Sequence, residues 1–340
     1  AKGIKGFDYE KAYEACKHSA MLDHFGLKAY KENGQITIDD EHESVSKTLE
    51  YAYDDFAIWK LAKALNRPKE EIDLYAKRSQ NYRNLFDTQT GLMRGKNKDG
   101  KFQSPFNPYK WGDAFTEGNS WHYTWSVFHD FQGLVDLMGG SQQFVNKLDS
   151  VFLLPPKFDD SYYGGVIHEI REMQIANMGQ YAHGNQPIQH MIYLYNYGGA
   201  PWKTQHWVRE TMNRMYRATP DGYCGDEDNG QTSAWYIFSS MGFYPVCPAT
   251  DQYVLGAPLF KKITLTLENG KQVLIQAPKN SADNRYVNSL KVNGKIYDKN
   301  WVGHFDLMKG TILDFEMSSS PNTKRGIDKK SFPYSLTNDK

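Results

Sequence analysis

Residues 225–241 read GDEDNGQTSAWYIFSSM, an acidic, glycine-flanked loop followed by a predicted helix over 231–241. The same order occurs twice more in the chain, as EGNSW at 117–121 and HGNQP at 183–187. Each of these loops places carboxylate or amide side chains immediately before the start of a helix. This repetition is typical of a chain whose helices begin at a common face.

The three loops lead to a specific fold prediction. The inner helices of an (α/α) toroid all begin at one face of the ring, so the loops before them converge on one mouth. We therefore predict a mainly α chain, with an (α/α)6-toroid-like helical domain over 1–248. In that arrangement Glu117 lies near Asp226 and Asp228, although about a hundred residues separate them along the chain.

The other helices of this part are predicted from hydrophobic spacing. Val45, Leu49, Ala52, Phe56 and Trp59 recur at helical intervals, which gives an amphipathic helix with one apolar face. Strand-like runs are scarce, which disfavours a βα barrel or a dinucleotide-binding fold. About nine helices are predicted in all, over 8–21, 45–65, 68–86, 119–138, 141–153, 169–181, 187–197, 202–218 and 231–241.

After Pro248 the hydrophobic period changes from helical to alternating. Residues 263–267 alternate, Asn269-Gly270 is a hairpin turn, and a second hairpin is predicted over 292–296. A last strand is predicted over 311–315. We predict a small β-rich module over 249–317, followed by a polar, extended tail over 318–340.

Composition narrows the classes of function. The chain has 340 residues, with 40 Lys+Arg against 40 Asp+Glu and a net charge of zero. Zero net charge argues against non-specific binding of nucleic acid or an anionic membrane surface, and no apolar run approaches the ~20 residues of a membrane span. The 14% of aromatic residues fit either helix packing or a surface that stacks on sugar rings.

Paired carboxylates before helices suit glycoside hydrolysis. An inverting enzyme needs an acid to protonate the leaving oxygen and a base to activate water, at roughly 6.5–9.5 Å from each other. Glu117 is a candidate acid because Phe115, Trp121 and Tyr123 would desolvate it and raise its pKa. Asp226 and Asp228 would stay ionised and hold the water. The alternative is that these carboxylates only complement helix dipoles.

Other chemistries are not supported by the motifs present. The loop at Asp226 lacks the Glu at position twelve of an EF-hand, where Ile237 stands. His168-Glu169 begins an HExxH pattern, but Glu172 occupies its last position. The three cysteines form no CxxC or Cys/His metal pattern. No nucleophile elbow, P-loop or GxGxxG occurs, so serine nucleophile and nucleotide chemistry are not predicted.

Longer motifs carry a resemblance to a known family. The runs EGNSWHYTW at 117–125, GNQP at 184–187, PWKTQ at 201–205, GDEDNGQTSAWY at 225–236 and GFYP at 242–245 together resemble glycoside hydrolase family 92. The resemblance covers essentially the whole chain. It implies a calcium-dependent, exo-acting α-mannosidase that inverts the anomeric centre.

The resemblance also implies roles for individual residues. Glu117 matches the general acid, and Asp226 and Asp228 match the acidic pair that positions and deprotonates the attacking water. His168-Glu169 is similar to the pair that contacts the leaving-side mannose in α-1,2-mannosidases. The aromatic wall of the pocket would include Trp121, with His122 as its polar neighbour. Calcium would grip vicinal hydroxyls of the terminal mannose, and its implied ligands include Asn185 and Gln186.

Two departures from the family pattern affect these expectations. Many members have Glu-Pro-Ser-His where this chain has QPIQ at 186–189, so Gln186 would offer calcium one charge fewer. Family members also carry an N-terminal β-sandwich and twelve toroid helices, so this chain is expected to start part-way into the toroid. The missing sandwich would then be a partner of the chain, beside a mannose-containing glycan.

Three classes of function remain open from the sequence. The leading hypothesis is the catalytic C-terminal portion of an inverting exo-α-mannosidase that releases terminal, α-1,2-linked mannose. The alternative is a calcium-assisted carbohydrate-binding fragment without turnover, and the third is a helical scaffold. The chain shows no signal peptide, and a secreted or periplasmic location is implied by the resemblance only.

Overall fold

The computed structural model describes residues 1–339, so Lys340, the last residue of the predicted tail, lies outside the described residues. The described chain is mainly helical up to Met241, as predicted. Its α-helices are α1 (Tyr9–Ala20), α2 (Leu27–Asn33), α3 (Ser44–Ala64), α4 (Lys69–Arg78), α5 (Ser120–Tyr123), α6 (Phe131–Leu137), α7 (Ser141–Leu153), α8 (His168–Ala176), α9 (Pro201–Met215), α10 (Gln231–Met241) and α11 (His304–Leu307).

The predicted helices with the clearest hydrophobic spacing are confirmed. They correspond to α1, α3, α7 and α10, and the predicted helix over 202–218 corresponds to α9. Val45, Leu49, Ala52 and Phe56 are all fully buried along one face of α3. The helix predicted over 68–86 is shorter, because a 3-10 helix at Asn81–Leu85 follows α4. The helix predicted over 169–181 ends at Ala176.

A single helix over 119–138 was the wrong prediction. The structure has α5 and α6 instead, separated by seven residues that turn into the interior. In that turn the ring of buried His129 contacts the Ser79 carbonyl at 2.8 Å, and buried Asp130 accepts from the Tyr82 hydroxyl at 2.7 Å. Burying these two polar side chains against distant partners overrides the helical preference of the segment.

The α-helix predicted over 187–197 was also wrong. Two 3-10 helices, Gln186–Ile188 and Met191–Asn196, occupy the segment. The buried amide of Asn196 donates to Tyr193 O, Thr204 Oγ1 and Leu255 O at 2.9 to 3.1 Å. These tertiary contacts hold the end of the segment in a tight turn that hydrophobic spacing does not reveal.

The described chain divides into two compact units. The first contains residues 3–130 and 151–182, and the second contains 131–150 and 183 onward. In the first unit, α3 packs against α1 and α4. Asp55 on α3 is buried there with the Arg78 guanidinium, whose Nε lies 2.8 Å from its carboxylate, and with the Tyr30 hydroxyl at the same distance. A buried charge pair of this kind requires both partners.

The second unit holds most of the strands, which confirms the predicted C-terminal β structure. The strands are β1 (Phe86–Asp87), β2 (Leu92–Met93), β3 (Phe243–Tyr244), β4 (Gln252–Leu255), β5 (Lys262–Thr266), β6 (Gln272–Gln276), β7 (Tyr286–Val292), β8 (Lys295–Ile296), β9 (Trp301–Gly303) and β10 (Ile312–Ser318).

The largest sheet has five strands in the order β5-β6-β10-β7-β8, with β6 and β10 parallel and the other pairs antiparallel. Both predicted hairpins occur, with Gly270 and Gly294 at positive φ in their turns.

The last part of the chain follows β10. The segment predicted as an extended tail contains short 3-10 helices at Lys329–Ser331 and Leu336–Asn338. Arg325 is buried within it and donates to the carbonyls of Tyr297 and Lys299 at 3.2 and 3.0 Å. The domain boundaries at 248 and 317 and the ring order of the helices stay predictions. Within residues 1–339, no helix combines the length and the apolar character that a membrane span requires.

Candidate active site

The predicted general acid lies on a tightly folded loop of the first unit. Glu117 adopts a left-handed backbone conformation, with φ of 44°. Its N–H donates to the Tyr163 hydroxyl at 3.1 Å, and the Gly112 N–H donates to the Gly118 carbonyl at 3.0 Å. Burial raises the pKa of Tyr163 to about 12, so its phenol stays protonated at neutral pH. The backbone around Glu117 is therefore held from two sides.

His122 anchors the loop through a capping box at the start of α5. The Asn119 side chain accepts from the Trp121 N–H at 2.9 Å, and the Asn119 N–H donates to His122 Nδ1 at 3.1 Å. Because Nδ1 accepts, the ring proton is on Nε2, which donates to the Gln180 carbonyl at 2.9 Å. Burial lowers the pKa of His122 to about 3. His122 is thus a neutral, buried anchor with both ring nitrogens engaged by backbone.

The aromatic residues near Glu117 lie under the loop. Phe115, Trp121 and Tyr123 are 5%, 7% and 2% exposed, whereas Glu117 is exposed. Glu117 is therefore exposed in the described chain, although the three rings expected to desolvate it are buried. The Trp121 ring lies 6.4 Å from that of Tyr109. An acid at this position needs the substrate or further protein to exclude water.

His168 and Glu169, the predicted leaving-side pair, begin α8 in the same unit. His168 Nε2 lies 3.1 Å from Glu169 Oε1, and His168 Nδ1 lies 3.1 Å from Glu172 Oε1. The side chain of His168 is 57% exposed and that of Glu169 is 9% exposed. The contact of Glu172 with His168 was not predicted from the sequence, where Glu172 only breaks an HExxH pattern. Its spacing of four residues from His168 on a helix is the signal for this contact.

Asp226 and Asp228 lie in the second unit, on the loop before α10, and both are exposed. Asp228, Asn229 and Gly230 adopt successive positive φ angles of 46°, 57° and 91°. Gly230 is the N-cap residue and offers no side chain, so the helix start is capped by a carboxylate from within the loop.

Glu227 provides that carboxylate. Its Oε2 accepts from the Gly230 N–H at 2.7 Å, and its Oε1 accepts from the Ser233 N–H at 3.2 Å. These bonds, led by those from Ser233, lower the pKa of Glu227. Glu227 was not among the residues predicted from the sequence. The signal was present, because an acidic residue just before a helix start is a normal cap.

The predicted calcium ligands lie beside this loop. Gln186 Nε2 donates to the Asp226 carbonyl at 3.0 Å, which leaves the amide oxygen of Gln186 as a potential ligand for a cation. The Thr232 hydroxyl donates to the same carbonyl at 3.1 Å and accepts from Gln189 Nε2 at 3.1 Å. Asn185 is 6% exposed. The Asp226 carbonyl is therefore linked to the loop at 183–187 through Gln186, and to Gln189 through Thr232.

Whether these residues could bind calcium depends on the oxygen atoms that they offer. Amide and carboxylate oxygens are the ligands that calcium prefers, and Gln186 supplies an amide that contacts Asp226, with the amide of Asn185 next to it in the chain. The oxygen Oε1 of Gln189 is also buried without a hydrogen bond in the described chain. In residues 1–339, no three His, Cys, Asp or Glu side chains gather as a metal site. The donor set thus fits a hard cation through its amides.

The candidate residues fall in two groups. Glu117, Trp121, His122, His168 and Glu169 belong to the first unit. The second unit contains Asn185, Gln186, Asp226 and Asp228. A cavity of about 810 Å³ between α1 and α3 is lined by none of them. The structure therefore has the exposed carboxyl of Glu117 on one anchored loop and those of Asp226 and Asp228 on another.

Comparison with known proteins identifies the class that this fold and these loops define. The model of the glycosyl hydrolase family 92 catalytic domain matches residues 1–319. The chain belongs to glycoside hydrolase family 92.

Solved structures agree with this assignment. The chain is similar to an inverting mannosidase of family GH92 from Bacteroides thetaiotaomicron, with a TM-score of 0.89 and 46% identity over 99% of this chain and 47% of that chain. It is also similar to an α-mannosidase of the family from the same organism, solved with mannoimidazole, with a TM-score of 0.89 and 40% identity. That match covers 98% of this chain and 44% of the other.

A curated relative extends the comparison to a fungus. An uncharacterized secreted glycosidase from Arthroderma benhamiae is 26% identical, over 97% of this chain and 44% of that protein. The chain thus spans less than half the length of these relatives.

Proposed function

We propose that this chain carries the catalytic residues of an exo-acting, inverting α-mannosidase that releases terminal α-linked mannose from glycans. Membership of family 92, together with acidic side chains on both loops, is the observation that carries the proposal. α-1,2-linked mannose is the proposed linkage, because His168 and Glu169 stand where the leaving-side pair is expected. A neutral glycan also suits a chain with zero net charge.

Glu117 is the proposed general acid. Its loop is held by the Tyr163 hydroxyl and by the capping box of Asn119 and His122, so its backbone position is set before substrate binds. Such preorganisation lowers the cost of aligning the acid with the leaving oxygen. The exposed carboxyl would lose water when a sugar covers it, which raises the pKa toward the value an acid needs.

Asp226 and Asp228 are the proposed base pair, which together position and deprotonate the attacking water. Both side chains are exposed, on the loop before α10. The role is not assigned to one of them alone. Inversion requires the water to attack on the face opposite the leaving group, where a second carboxylate accepts its proton.

Calcium is the proposed cofactor, held through the amide oxygens of Asn185 and Gln186. When bound, calcium supplies charge that polarises vicinal hydroxyls of the terminal mannose and favours a flattened ring. The residues of this chain orient the site: Gln186 and Thr232 hold the Asp226 backbone through its carbonyl. A secreted or periplasmic setting is proposed, since glycans of this kind are found there.

The decisive experiment is hydrolysis of an unactivated α-1,2-mannobiose by the purified chain. Glu117→Gln is expected to abolish mannose release while the melting temperature is unchanged, and Glu32→Gln, an exposed surface glutamate, is the matched control. Proton NMR of the early product should show β-mannose first. Full activity of the Glu117 variant would overturn its role as the acid.

A panel of mannobioses and a chelator separate the finer parts of the proposal. Preference for the α-1,2 linkage over α-1,3 and α-1,6 is expected, with activity lost in chelator and restored by added calcium. The exposure of Glu117 favours a second candidate, mannose binding without turnover. Calcium-dependent binding with no release of mannose would establish that candidate, and neither binding nor release would indicate a scaffold.

A further inference from the structure

A separate polar pocket lies in the first unit, on the segment that leads into Glu117. Its volume is about 250 Å³, and its polar lining is Gln103, Asn107, Lys110, Asp113, Asp159 and Ser161. None of these residues belongs to the proposed catalytic set. The pocket therefore has its own chemistry, which follows from its hydrogen bonds.

One wall of the pocket is a lysine and a glutamine that share one carboxylate oxygen. Asp113 Oδ2 accepts from Lys110 Nζ at 2.8 Å and from Gln103 Nε2 at 3.1 Å. An ammonium group has three donors and a carboxylate has two oxygens, so donors of Lys110 and Oδ1 of Asp113 stay available to a ligand. Asp113 has a positive φ of 62°, a conformation that its short polar side chain tolerates.

A second polar group of the lining is a planar amide paired with a carboxylate. Asn107 Nδ2 donates to Asp159 Oδ2 at 2.8 Å, and the Ser161 N–H donates to Asp159 Oδ1 at 3.0 Å. The Tyr109 N–H fixes the amide by donating to Asn107 Oδ1 at 3.1 Å. Hydrogen bonds from Ser161 lower the pKa of Asp159, so its carboxylate is ionised at neutral pH.

Charge and shape restrict the class of ligand. Two carboxylates against one ammonium disfavour an anion such as phosphate, which needs donors alone. A sugar both donates and accepts through its hydroxyls, which matches walls that mix ammonium, amide and carboxylate groups. Phe106 is partly exposed, lines the pocket and offers carbon surface to the C–H face of a sugar ring.

The pocket shares its backbone with the proposed acid loop. Gly112, Asp113, Ala114 and Phe115 line it, and the Gly112 N–H closes the segment by donating to the Gly118 carbonyl. Gly112 has φ of 78°, and a Cβ there would approach the Tyr162 ring to 2.2 Å. The positive φ and the Tyr162 ring therefore both require glycine at this position.

We propose that this pocket is a distal sugar-binding subsite, which takes a residue beyond the leaving-side mannose of a neutral mannose oligosaccharide while the terminal residue is cleaved. The proposal rests on the proposed function for the identity of the sugar. It assigns selection of oligosaccharides over small mannosides to Lys110, Asp113, Asn107 and Asp159. A substrate too short to reach the pocket gains nothing from it.

Two variants test the subsite in different ways. Lys110→Met removes the ammonium donors, and Ser161→Tyr, at an exposed position, fills the pocket while the Lys110–Asp113 pair is kept. Lys101→Met is the matched control, since Lys101 pairs with Asp99 at 3.0 Å in the same region and does not line the pocket. Each is assayed with an aryl α-mannoside and with α-linked mannotriose.

Lys110→Met is expected to raise KM for mannotriose about tenfold, because one charged hydrogen bond is lost. Ser161→Tyr is expected to raise KM by a similar factor because it fills the pocket, and both variants should leave kcat and aryl mannoside hydrolysis unchanged. Calorimetric titration of mannotriose into Glu117→Gln, with and without Lys110→Met, should show the same loss of affinity. If wild type hydrolyses no mannoside, the proposed function fails, and titration into wild type and Lys110→Met still tests the pocket. Equal KM and equal affinity across both variants and Lys101→Met would overturn the subsite.

Discussion

The loop of Glu117 and the loop of Asp226 and Asp228 precede helices in the same way but are held by opposite means. Buried, neutral groups hold the first, through His122 and its bond to the Gln180 carbonyl. A partly exposed, ionised carboxylate holds the second, because Glu227 caps α10 through two backbone N–H groups.

This difference fits different chemical tasks. A proton donor benefits from a fixed position, because its hydrogen must point at one leaving oxygen. The proposed base pair must reach a water molecule, and its loop leaves both Asp226 and Asp228 exposed. The first loop is therefore held by buried, neutral groups, whereas the second is stabilised by an ionised carboxylate that caps α10.

The largest test separates acid from base by changing the leaving group. A dinitrophenyl α-mannoside needs no protonation as it leaves, so Glu117→Gln should retain most activity on it. Asp226→Asn and Asp228→Asn should each lose on the order of 10² to 10⁴ in kcat on the same substrate. Stopped-flow release of dinitrophenol measures this. If both aspartate variants kept full activity on the dinitrophenyl mannoside and only Glu117→Gln lost it, the proposed roles of acid and base would be wrong.

Removing the buried anchor should cost more stability than any other single change in the first loop. His122→Ala leaves the Asn119 N–H and the Gln180 carbonyl buried without partners and opens a cavity. The expected loss is about 3 kcal/mol in the free energy of unfolding, measured by urea denaturation. His42→Ala, whose side chain is 75% exposed, is the control and should change little. A loss below that of the control would show that the anchor is not structural.

Acid should weaken the first loop at a higher pH than the second. Burial lowers the pKa of His122 from 6.5 to about 3, so between these values the unfolded chain binds the extra proton and the folded chain does not. Stability then falls by about 1.4 kcal/mol for each pH unit below ~6.5. Hydrogen bonds lower the pKa of the Glu227 carboxyl, so the stabilisation that it gives is lost only as the pH falls through that lowered pKa.

Melting temperatures between pH 7 and pH 5 check this expectation. His122→Gln does not titrate in this range, so its melting temperature should fall less steeply with acid than that of wild type. Buried His129 and His183 have pKa values lowered to about 4 and about 3, so the melting temperature of the variant still falls with acid, but less than that of wild type. Identical slopes in wild type and the variant would contradict a neutral, buried His122.

The smallest effect is expected at the link between Asp226 and the loop at 183–187. Thr232→Val removes the hydroxyl that donates to the Asp226 carbonyl and accepts from Gln189. The expected cost is about 1 kcal/mol of unfolding free energy, with weaker calcium dependence of activity. Thr323→Val, at an exposed position of the same unit, is the control. An unchanged calcium dependence would remove Thr232 from the support of this loop.

Much of the fold could be predicted because hydrophobic spacing is local. The fully buried face of α3 and the Asn-Gly turns were correct because each depends on residues a few positions apart. The helix over 119–138 failed because His129 and Asp130 find buried partners about fifty residues away. No local pattern shows such a partner, and it decides where the helix breaks.

The sequence by itself determined the mainly helical class, the change to strands after Pro248, the family and the candidate carboxylates. Those features are carried by motifs and periodicities that are complete within short runs. Only the tertiary structure decided that His122 is a neutral anchor, that Glu117 is exposed above buried aromatic rings, and that Asn107 and Asp159 form one wall of a pocket. These properties depend on burial and on hydrogen bonds between residues roughly fifty positions apart, which folding alone brings together.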